Sequence, residues 1–397
     1  MTNEIYIDYL PGLIRAARLV NEKIEDFLVL RDDKPQVAGN QYIGRIAGID
    51  KGLGAAFVDI GLGQSGFLPL QNIPKSLGGH NVSEGTYLCV EVVREAFDGK
   101  GVRLKALVKE NIPNKIHVVK SFDRLGAWLQ RQKGHIDLIE VTDAALAGQV
   151  KKSLDALSVE GSILKHSAKR PDLFEVVGIE EQIELLLQTE ILLPSGGNLL
   201  LEQGRTLTAI DVNKGAMQHN GGVEMLHYHL NLEAAAEIAR QLRLRNIAGR
   251  VIIDFPYMKL AEYKKKLQAA LKACLSNDSV GHKLLPLYMT GLQELTRKRS
   301  GLSLQDLLLR PVGIGGLGQE KDPTIVGYEA LRRLWSENIR NSHVQASHVQ
   351  ASIAASYMVI QSLKDCAALP YVEEKIGKKI TLSVEPEADV SDYAVFE

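Results

Sequence analysis

A chain of 397 residues, 45% hydrophobic and 24% charged, exceeds the roughly 100–200 residues of one domain, so two to four folded units, each with its own core, are expected. Forty-seven basic against forty-eight acidic residues leave a net charge of −1, which gives no global signal for a nucleic-acid partner; any phosphate contact must come from a local basic surface. No stretch approaches the ~20 apolar residues that span a bilayer, and the first eight residues carry Glu4 and Asp8 instead of a basic segment followed by an apolar run, so neither a membrane span nor a secretory signal is expected and the location reads as cytoplasmic.

Cys89, Cys274 and Cys366 are odd in number and far apart, which excludes a CxxC zinc knuckle and a dense disulfide framework. From residue 4 to 30 apolar and polar residues alternate around a reversal at Pro11-Gly12, the pattern of two or three strands with little helix. Between Gly39 and Gly101, β-type runs at 42–46, 55–60, 66–70 and 87–95 alternate with Gly-containing turns, the spacing of a small barrel of the OB-fold kind. Beyond Pro113 the texture becomes mixed: strand-like 115–119, helical 122–133, strand-like 136–141, then a helix that Asp143 is placed to cap. Strand-like runs at 191–201 and 207–212 precede an amphipathic helix over 231–245, whose Leu232, Ala235, Ala236, Ala239 and Leu242 share a face, and a strand at 250–255. Strand, helix, strand in that order predicts a sheet with a crossover helix packed on it. The stretch 311–323, with Gly313, Gly315, Gly316 and Gly318, reads as a linker. A last small α/β unit is expected over 324–397, with a helix near 328–340 and a strand near 379–384. Inside it SHVQA occurs twice in tandem, at 342–346 and 347–351, too short for a solenoid repeat and read as a local duplication in a helix or its approach.

Two segments place an acidic residue at the carboxyl end of an otherwise apolar strand: LTAIDVNKG at 207–215 and VIIDFPYM at 251–258. Open α/β sheets collect ligands there. On position alone a strand-end aspartate is more often a helix cap or a turn residue. Two in matching contexts shift that balance, because neighbouring carboxylates repel unless paired or bridged by a cation. Oxygen-rich and without a nearby His or Cys, Asp211 and Asp254 suit magnesium, or manganese, better than zinc. Such an ion activates water, orients a phosphate and neutralises charge. Asn213 is either a further polar group of that centre or simply a turn former.

Arg240, Arg243, Arg245 and Arg250 make one basic cluster, and Arg297, Lys298 and Arg299 a second. Either could neutralise phosphates, although arginines near a helix C-terminus are also what the helix dipole favours. The triplet at 264–266 reads as a solvated helix face. In the expected barrel, Phe57 and Phe67 have Arg45, Lys51 and Lys100 in the neighbourhood, the combination with which OB-folds stack bases and track phosphates; a single Phe taken alone is more often core. His219, His227 and His229 would offer an HxH pair to zinc, but they fall in expected loop with no thiol or fourth ligand at zinc-like spacing.

Taken together, LPSGG at 193–197, LTAIDVNKG, NLEAAAEIARQLRLRNIAG at 231–249, VIIDFPYM and GLQELTRKR at 291–299 resemble the catalytic region of the ribonuclease E/G family, and YIGRIAGIDKGLGAAFVDIGLGQSGFLPL at 42–70 resembles its RNA-binding OB domain. The resemblance covers most of the chain and is weakest at 106–130 and after 310. It implies a multidomain α/β protein. An OB-fold β-barrel over 36–106 would be inserted in a ribonuclease-H-like subdomain over 1–35 and 107–186, followed by a deoxyribonuclease-like α/β catalytic subdomain over 187–310, the linker at 311–323 and a small α/β C-terminal domain over 324–397. It implies a magnesium-dependent endoribonuclease that hydrolyses single-stranded, often AU-rich RNA to 5′-phosphate products in RNA processing or decay, rRNA processing included. Asp211 and Asp254 would hold the metal beside Asn213, the third catalytic residue. Phe57, Phe67 and Lys100 would form the RNA surface.

Three departures from the family pattern carry expectations of their own. The chain is short between Lys100 and the helix near Phe122, where a 5′-monophosphate-sensing pocket would be built, so weak discrimination of RNA 5′ ends is expected. RPVGIGGLG at 310–318 stands where the family has a zinc-sharing CxxC, so no zinc and no zinc-linked tetramer are expected, while a homodimer fits the family's dimeric active unit. The family commonly carries another acidic residue near Tyr257, so the metal surroundings are expected to be less acidic and activity lower. Two rival readings are an RNA-binding protein with little or no catalysis, which gains nothing from retaining the carboxylates, and a nuclease acting on DNA or structured RNA.

Overall fold

A computed structural model describes residues 2–97, 99–132, 134–157, 163–167, 170–218, 221–313, 318–341 and 351–396. The chain divides into two compact units, one of Met1–Lys34, Trp128–Lys298 and Ser303–Glu397, the other of Pro35–Ala127 with Arg299–Leu302.

The N-terminal alternation folds as an antiparallel meander, β1 (Asn3–Leu10), β2 (Leu13–Val20) and β3 (Lys23–Arg31). Pro11-Gly12 makes the first reversal, with Gly12 at a φ of +89° that a side chain would resist.

In the second unit β4 (Gln41–Asp50), β5 (Ala55–Asp59), β6 (Gly66–Pro69), β7 (Tyr87–Arg94) and β8 (Arg103–Leu107) close into a five-stranded barrel in the order β4-β5-β6-β8-β7-β4, antiparallel except between β6 and β8. This is the OB-like barrel expected from the Gly-punctuated runs. Alternation sends Ile46, Ala56, Val58, Leu68, Val90 and Leu104 inside. A further strand, β9 (His117–Lys120), pairs with the first half of β4, so the strand expected to begin the mixed α/β region belongs to the barrel sheet.

The chain passes back to the first unit within α1 (Arg124–Arg131), followed by β10 (Leu138–Val141), α2 (Ala144–Leu157), β11 (Ile163–His166), α3 (Leu173–Val176) and α4 (Ile179–Leu187). Asp143 caps α2 as expected, its Oδ1 accepting from the Leu146 amide at 2.9 Å. The sheet runs β11-β10-β1-β2-β3, with β10 parallel to both neighbours.

Next come β12 (Glu190–Leu192), β13 (Asn198–Gln203), β14 (Thr208–Asn213), α5 (Gly222–Leu244), β15 (Gly249–Asp254), α6 (Ala261–Leu275), β16 (His282–Leu284) and β17 (Leu292–Arg297), giving a sheet of order β12-β13-β14-β15-β17-β16. β14 and β15 are parallel and joined by α5, the crossover expected from the pattern. Leu230, Ala234, Ile238 and Leu242 of α5 and Leu267 and Leu271 of α6 pack on Leu199, Ile210, Val212, Val251 and Ile253. The opposite face of the sheet carries Leu200, Asp211, Asn213 and Asp254. Two expectations are corrected here. The single strand read at 191–201 is two strands reversed at LPSGG. The helix read from 231 begins at Gly222, which puts His227 and His229 on a helix; two residues apart they leave it in different directions and cannot share an ion as an HxH pair on a strand would. His219 lies outside the described residues.

The chain ends in α7 (Leu304–Leu308), β18 (Leu309–Val312), β19 (Gly318–Lys321), α8 (Pro323–Asn341), β20 (Ser352–Ala355), α9 (Tyr357–Lys364), α10 (Ala368–Ile376), β21 (Thr381–Val384) and β22 (Tyr393–Phe396). The Gly-rich stretch at 311–323 is therefore not a linker. β18 and β19 form an antiparallel ladder, reinforced by an Arg310–Glu320 ion pair. The tandem SHVQA copies lie, apart from Ala351, outside the described residues. Nor does 324–397 stand apart from the N-terminal sheet. Arg332 of α8 meets the buried carboxylate of Asp8 at 2.8 Å, Tyr328 donates to the Pro11 carbonyl at 3.0 Å, and Arg15 joins Asp8 and Glu180. Burial works against the Arg15 charge, but Glu180 and Asp8 more than offset it and hold its pKa above the usual guanidinium value. Among the described residues no helix is long and apolar enough to cross a membrane.

Candidate metal centre and nucleic-acid interface

Side chains on a strand alternate faces, so burying Ile210 and Val212 of β14 and Ile253 of β15 against the helices forces Asp211, Asn213 and Asp254 onto the open face. Asp211 and Asp254 are direct register partners on parallel strands, whose spacing is about 4.8 Å, so the two carboxylates emerge side by side into solvent. Leu200 of β13 and Leu292 of β17 complete the row on either side. The Asn213 amide nitrogen donates to Asp211 Oδ2 at 2.9 Å, and Asn213 ends β14, so its side chain is a polar neighbour of Asp211 and not simply a turn former. A carboxylate only accepts, so this bond orients one oxygen and leaves the other open.

What the sequence did not reveal is how this row is held from behind. Asn231 of α5 donates to the Pro256 carbonyl at 2.9 Å, and His227 Nδ1 lies 2.7 Å from the Tyr257 carbonyl, to which it can only donate. Glu224 accepts from the Lys259 and Leu260 amides at 2.8 and 2.9 Å. Spaced four and three residues apart, these side chains form one helix face that grips the loop directly after Asp254. The amides of Leu260 and Lys259 hold the Glu224 carboxyl below its ordinary range. Glu233, further along α5, accepts from the backbone amide and hydroxyl of Ser195 in the LPSGG turn. That turn in turn clasps the chain after Asn213: Ala216 N donates to the Gly196 carbonyl at 3.0 Å, and a Cβ on Gly215 would approach the same oxygen to 2.4 Å. Asn231 and Glu233 were visible in the NLE motif only as letters; their work depends on loops far away in sequence.

Two adjacent, exposed carboxylates offer hard oxygen, and their exposure leaves room for the waters that magnesium keeps. Among the described residues no group of three or more His, Cys, Asp or Glu side chains converges, so the two carboxylates would supply only part of an ion's shell and water the rest. The residues present fit magnesium, or manganese.

On the barrel, Phe57 and Phe67 are register partners on β5 and β6 and lie outside the hydrophobic interior, so the core reading does not hold for them. Their rings meet edge to face at 6.1 Å, and the Arg103 guanidinium, next in the row on β8, lies 5.9 Å from the Phe67 ring. Gly48 is the neighbour of Phe57 on the other side and leaves that flank free of any side chain. Arg45 is exposed on β4 opposite Asp59. Lys100 sits at the turn between β7 and β8, bridged through its backbone to Phe97, and Arg299 lies 3.5 Å from the Phe97 ring centroid. Arg103 and Phe97 were not singled out in the sequence.

The basic runs resolve differently. Arg297 is only 3% exposed and turns inward, to Asp278 at 2.6 Å, Asn246 at 2.9 Å and the Ile247 carbonyl at 2.9 Å, so it is a structural residue and not a phosphate contact. Lys298 is exposed. Arg240 and Arg243 are engaged by Glu237, Glu25 and the Ile24 carbonyl, and Arg250 pairs with Glu294. Arg245 is fully buried, which pushes its pKa down to about 10. Of that cluster, only Arg250 reaches the open face.

The Ribonuclease E/G family model matches residues 106–300. Ribonuclease G of Escherichia coli (strain K12) is 26% identical, over 97% of this chain and 98% of its own length. Ribonuclease G of Haemophilus influenzae is 27% identical over 96% of each chain, and Ribonuclease E of Escherichia coli (strain K12) is 24% identical over 87% of this chain and 41% of its own. The aligned span of 482 positions exceeds the 397 residues here, so deletions in this chain are part of the match. With the family match running through β14, α5 and β15, and with relatives aligned along nearly its whole length, this chain is similar throughout to the ribonuclease E/G family.

Proposed function

We infer that this protein is an endoribonuclease of RNA processing or decay, and we propose that it hydrolyses single-stranded, AU-rich RNA to 5′-phosphate products at a magnesium ion held by Asp211 and Asp254. The observation that carries the reading is the in-register, exposed pair of carboxylates on parallel strands. Unbridged, two such charges side by side repel each other and any phosphate that approaches. A magnesium ion bound there would supply Lewis-acid and charge-neutralising chemistry to phosphodiester hydrolysis. Asn213 fixes the orientation of Asp211, and the α5 face of Glu224, His227 and Asn231 fixes the loop behind Asp254. The Phe57–Phe67–Arg103 row, with Lys100 and Arg45, supports single-strand binding, because stacking and cations accept an unpaired strand of any sequence.

Several finer points belong to the same reading. The order β3-β2-β1-β10-β11, three antiparallel strands followed by two parallel ones, supports a ribonuclease-H-like subdomain. Weak discrimination of RNA 5′ ends, a cytoplasmic place of action and a homodimer without shared zinc complete it, the last supported by three cysteines with no CxxC pair.

The experiment is cleavage of a fluorescently labelled, single-stranded AU-rich RNA with and without magnesium, by wild type and Asp254→Asn. Magnesium-dependent cutting by wild type alone is expected. Binding with no metal-dependent cutting would leave an RNA-binding protein instead. Matched 5′-monophosphate and 5′-hydroxyl substrates are expected to be cut at similar rates.

A further inference from the structure

Three residues beyond Asp254, Tyr257 combines a fixed backbone with a half-exposed ring. Its carbonyl is tied to His227, and the Pro256 carbonyl and Lys259 amide on either side are tied to Asn231 and Glu224. Its neighbours Phe255 and Met258 are each 2% exposed and belong to the core, while Tyr257 itself is 50% exposed. The loop thus leaves one face of an aromatic ring open to solvent three residues past the acidic row.

The surroundings of that ring have the chemistry of a single-strand contact. Lys264 Nζ on α6 lies 4.6 Å from the Tyr257 ring centroid and donates to the Met289 carbonyl at 3.2 Å. That carbonyl belongs to the turn before β17, which closes against the Asp254 loop: the Phe255 amide donates to the Gly291 carbonyl, and a Cβ on Gly291 would approach the Phe255 carbonyl to 2.4 Å. Glycine is what allows this approach. It brings Tyr288 and Met289, both well exposed, to the same edge as Tyr257, with Leu292 in register beside Asp254. Exposed aromatic and apolar side chains flanked by a lysine match a nucleobase with its phosphate. Continuity with the acidic row, where a scissile phosphate would sit, favours RNA over a protein segment as the occupant.

We propose that Tyr257, backed by Lys264, is a base-stacking subsite that seats one nucleotide of the RNA next to the Asp211–Asp254 centre. The assignment rests on the endoribonuclease reading and adds to it the element that would position the strand at the cut.

The test replaces the nucleotides around the cleaved bond, one at a time, by an abasic ribose. With wild type, kcat/KM is expected to fall roughly tenfold at one flanking position, about 1.4 kcal/mol and within the range for one stacked base. Tyr257→Ala should lose a similar factor on intact RNA and nothing more at that position, whereas Tyr257→Phe should keep the wild-type penalty. Equal sensitivity of wild type and Tyr257→Ala at every position overturns the subsite. Binding of the same RNAs in EDTA, read by fluorescence anisotropy, separates the two claims. A position-specific penalty in binding without any cutting keeps the subsite and overturns the nuclease, while cutting with no penalty in either assay does the reverse. A protein segment as occupant predicts that neither RNA assay responds to Tyr257→Ala, and so also overturns the proposal.

Discussion

The aromatic row of the barrel and the acidic row of the six-stranded sheet are both short lines of exposed side chains crossing neighbouring strands in register, yet they are held differently. Phe57, Phe67 and Arg103 support one another by ring and cation contacts at the surface, with the interior of the barrel formed by other residues. Asp211 and Asp254 have loops anchored to α5 through Asn231, Glu233, His227 and Glu224. A row that contacts a ligand by stacking tolerates small movements and loses affinity in increments. A pair proposed to share one ion depends on relative position, and the sheet fixes that position from behind.

The largest effect should come from the acidic row. Asp254→Asn is expected to lower kcat by about 10³-fold, several kcal/mol of charge stabilisation at a tenfold per about 1.4 kcal/mol, with RNA affinity in EDTA retained. A parallel loss of affinity, measured by anisotropy, would blur the division between the two rows.

Stability should be most sensitive at a site on neither row. Asp278→Ala leaves Arg297 buried without its carboxylate, and urea unfolding is expected to show a loss of about 3–5 kcal/mol. Little change would mean that Arg297 is free to turn outward and serve as the phosphate contact its sequence neighbourhood suggests.

On the barrel, Phe67→Ala is expected to cost about 1–3 kcal/mol in RNA binding, seen as a raised KM with kcat nearly unchanged. A fall in kcat alone would show that the barrel row acts on the chemical step.

The smallest effect concerns the loop clamp. Glu224 has its carboxyl pKa depressed by the Leu260 and Lys259 amides, so its contribution is present above the ordinary glutamate value of about 4.3 and is lost as pH falls through the lower folded value. Hydrogen-exchange protection of the Lys259 and Leu260 amides should therefore persist through the pH range in which an ordinary glutamate takes up its proton and be lost only at more acid pH. In Glu224→Ala it should be low throughout.

Much of the fold, and the placing of the two aspartates side by side, was legible in the sequence because it depends on local periodicity. Period-two burial of Ile210, Val212, Val251 and Ile253 fixes the face of both aspartates, and a crossover helix between the two strands fixes their parallel pairing. What escaped depends on partners distant in the chain. Arg297 reads as one of three surface cations until Asp278, across the β16–β17 hairpin, is seen to bury it. The glycines of 311–323 read as a linker because Arg310 and Glu320 face each other only once the hairpin forms. α5 starts early because Glu224 and His227 face the loop after β15, which removes the apolar stripe from its first turns. PSGG hides a strand reversal inside an apolar run, since its glycines serve a close approach to Gly215.

The claim on which the rest depends is that two aspartates on adjacent strands share one divalent ion. Titration with Mn²⁺, followed by the loss of its free-ion EPR signal, tests this without any substrate. One ion per chain is expected, released in Asp211→Asn and in Asp254→Asn alike, with the double variant no weaker than either single one. Undiminished binding in either single variant, or losses that simply add in the double one, would mean that the two carboxylates act separately and would contradict the account.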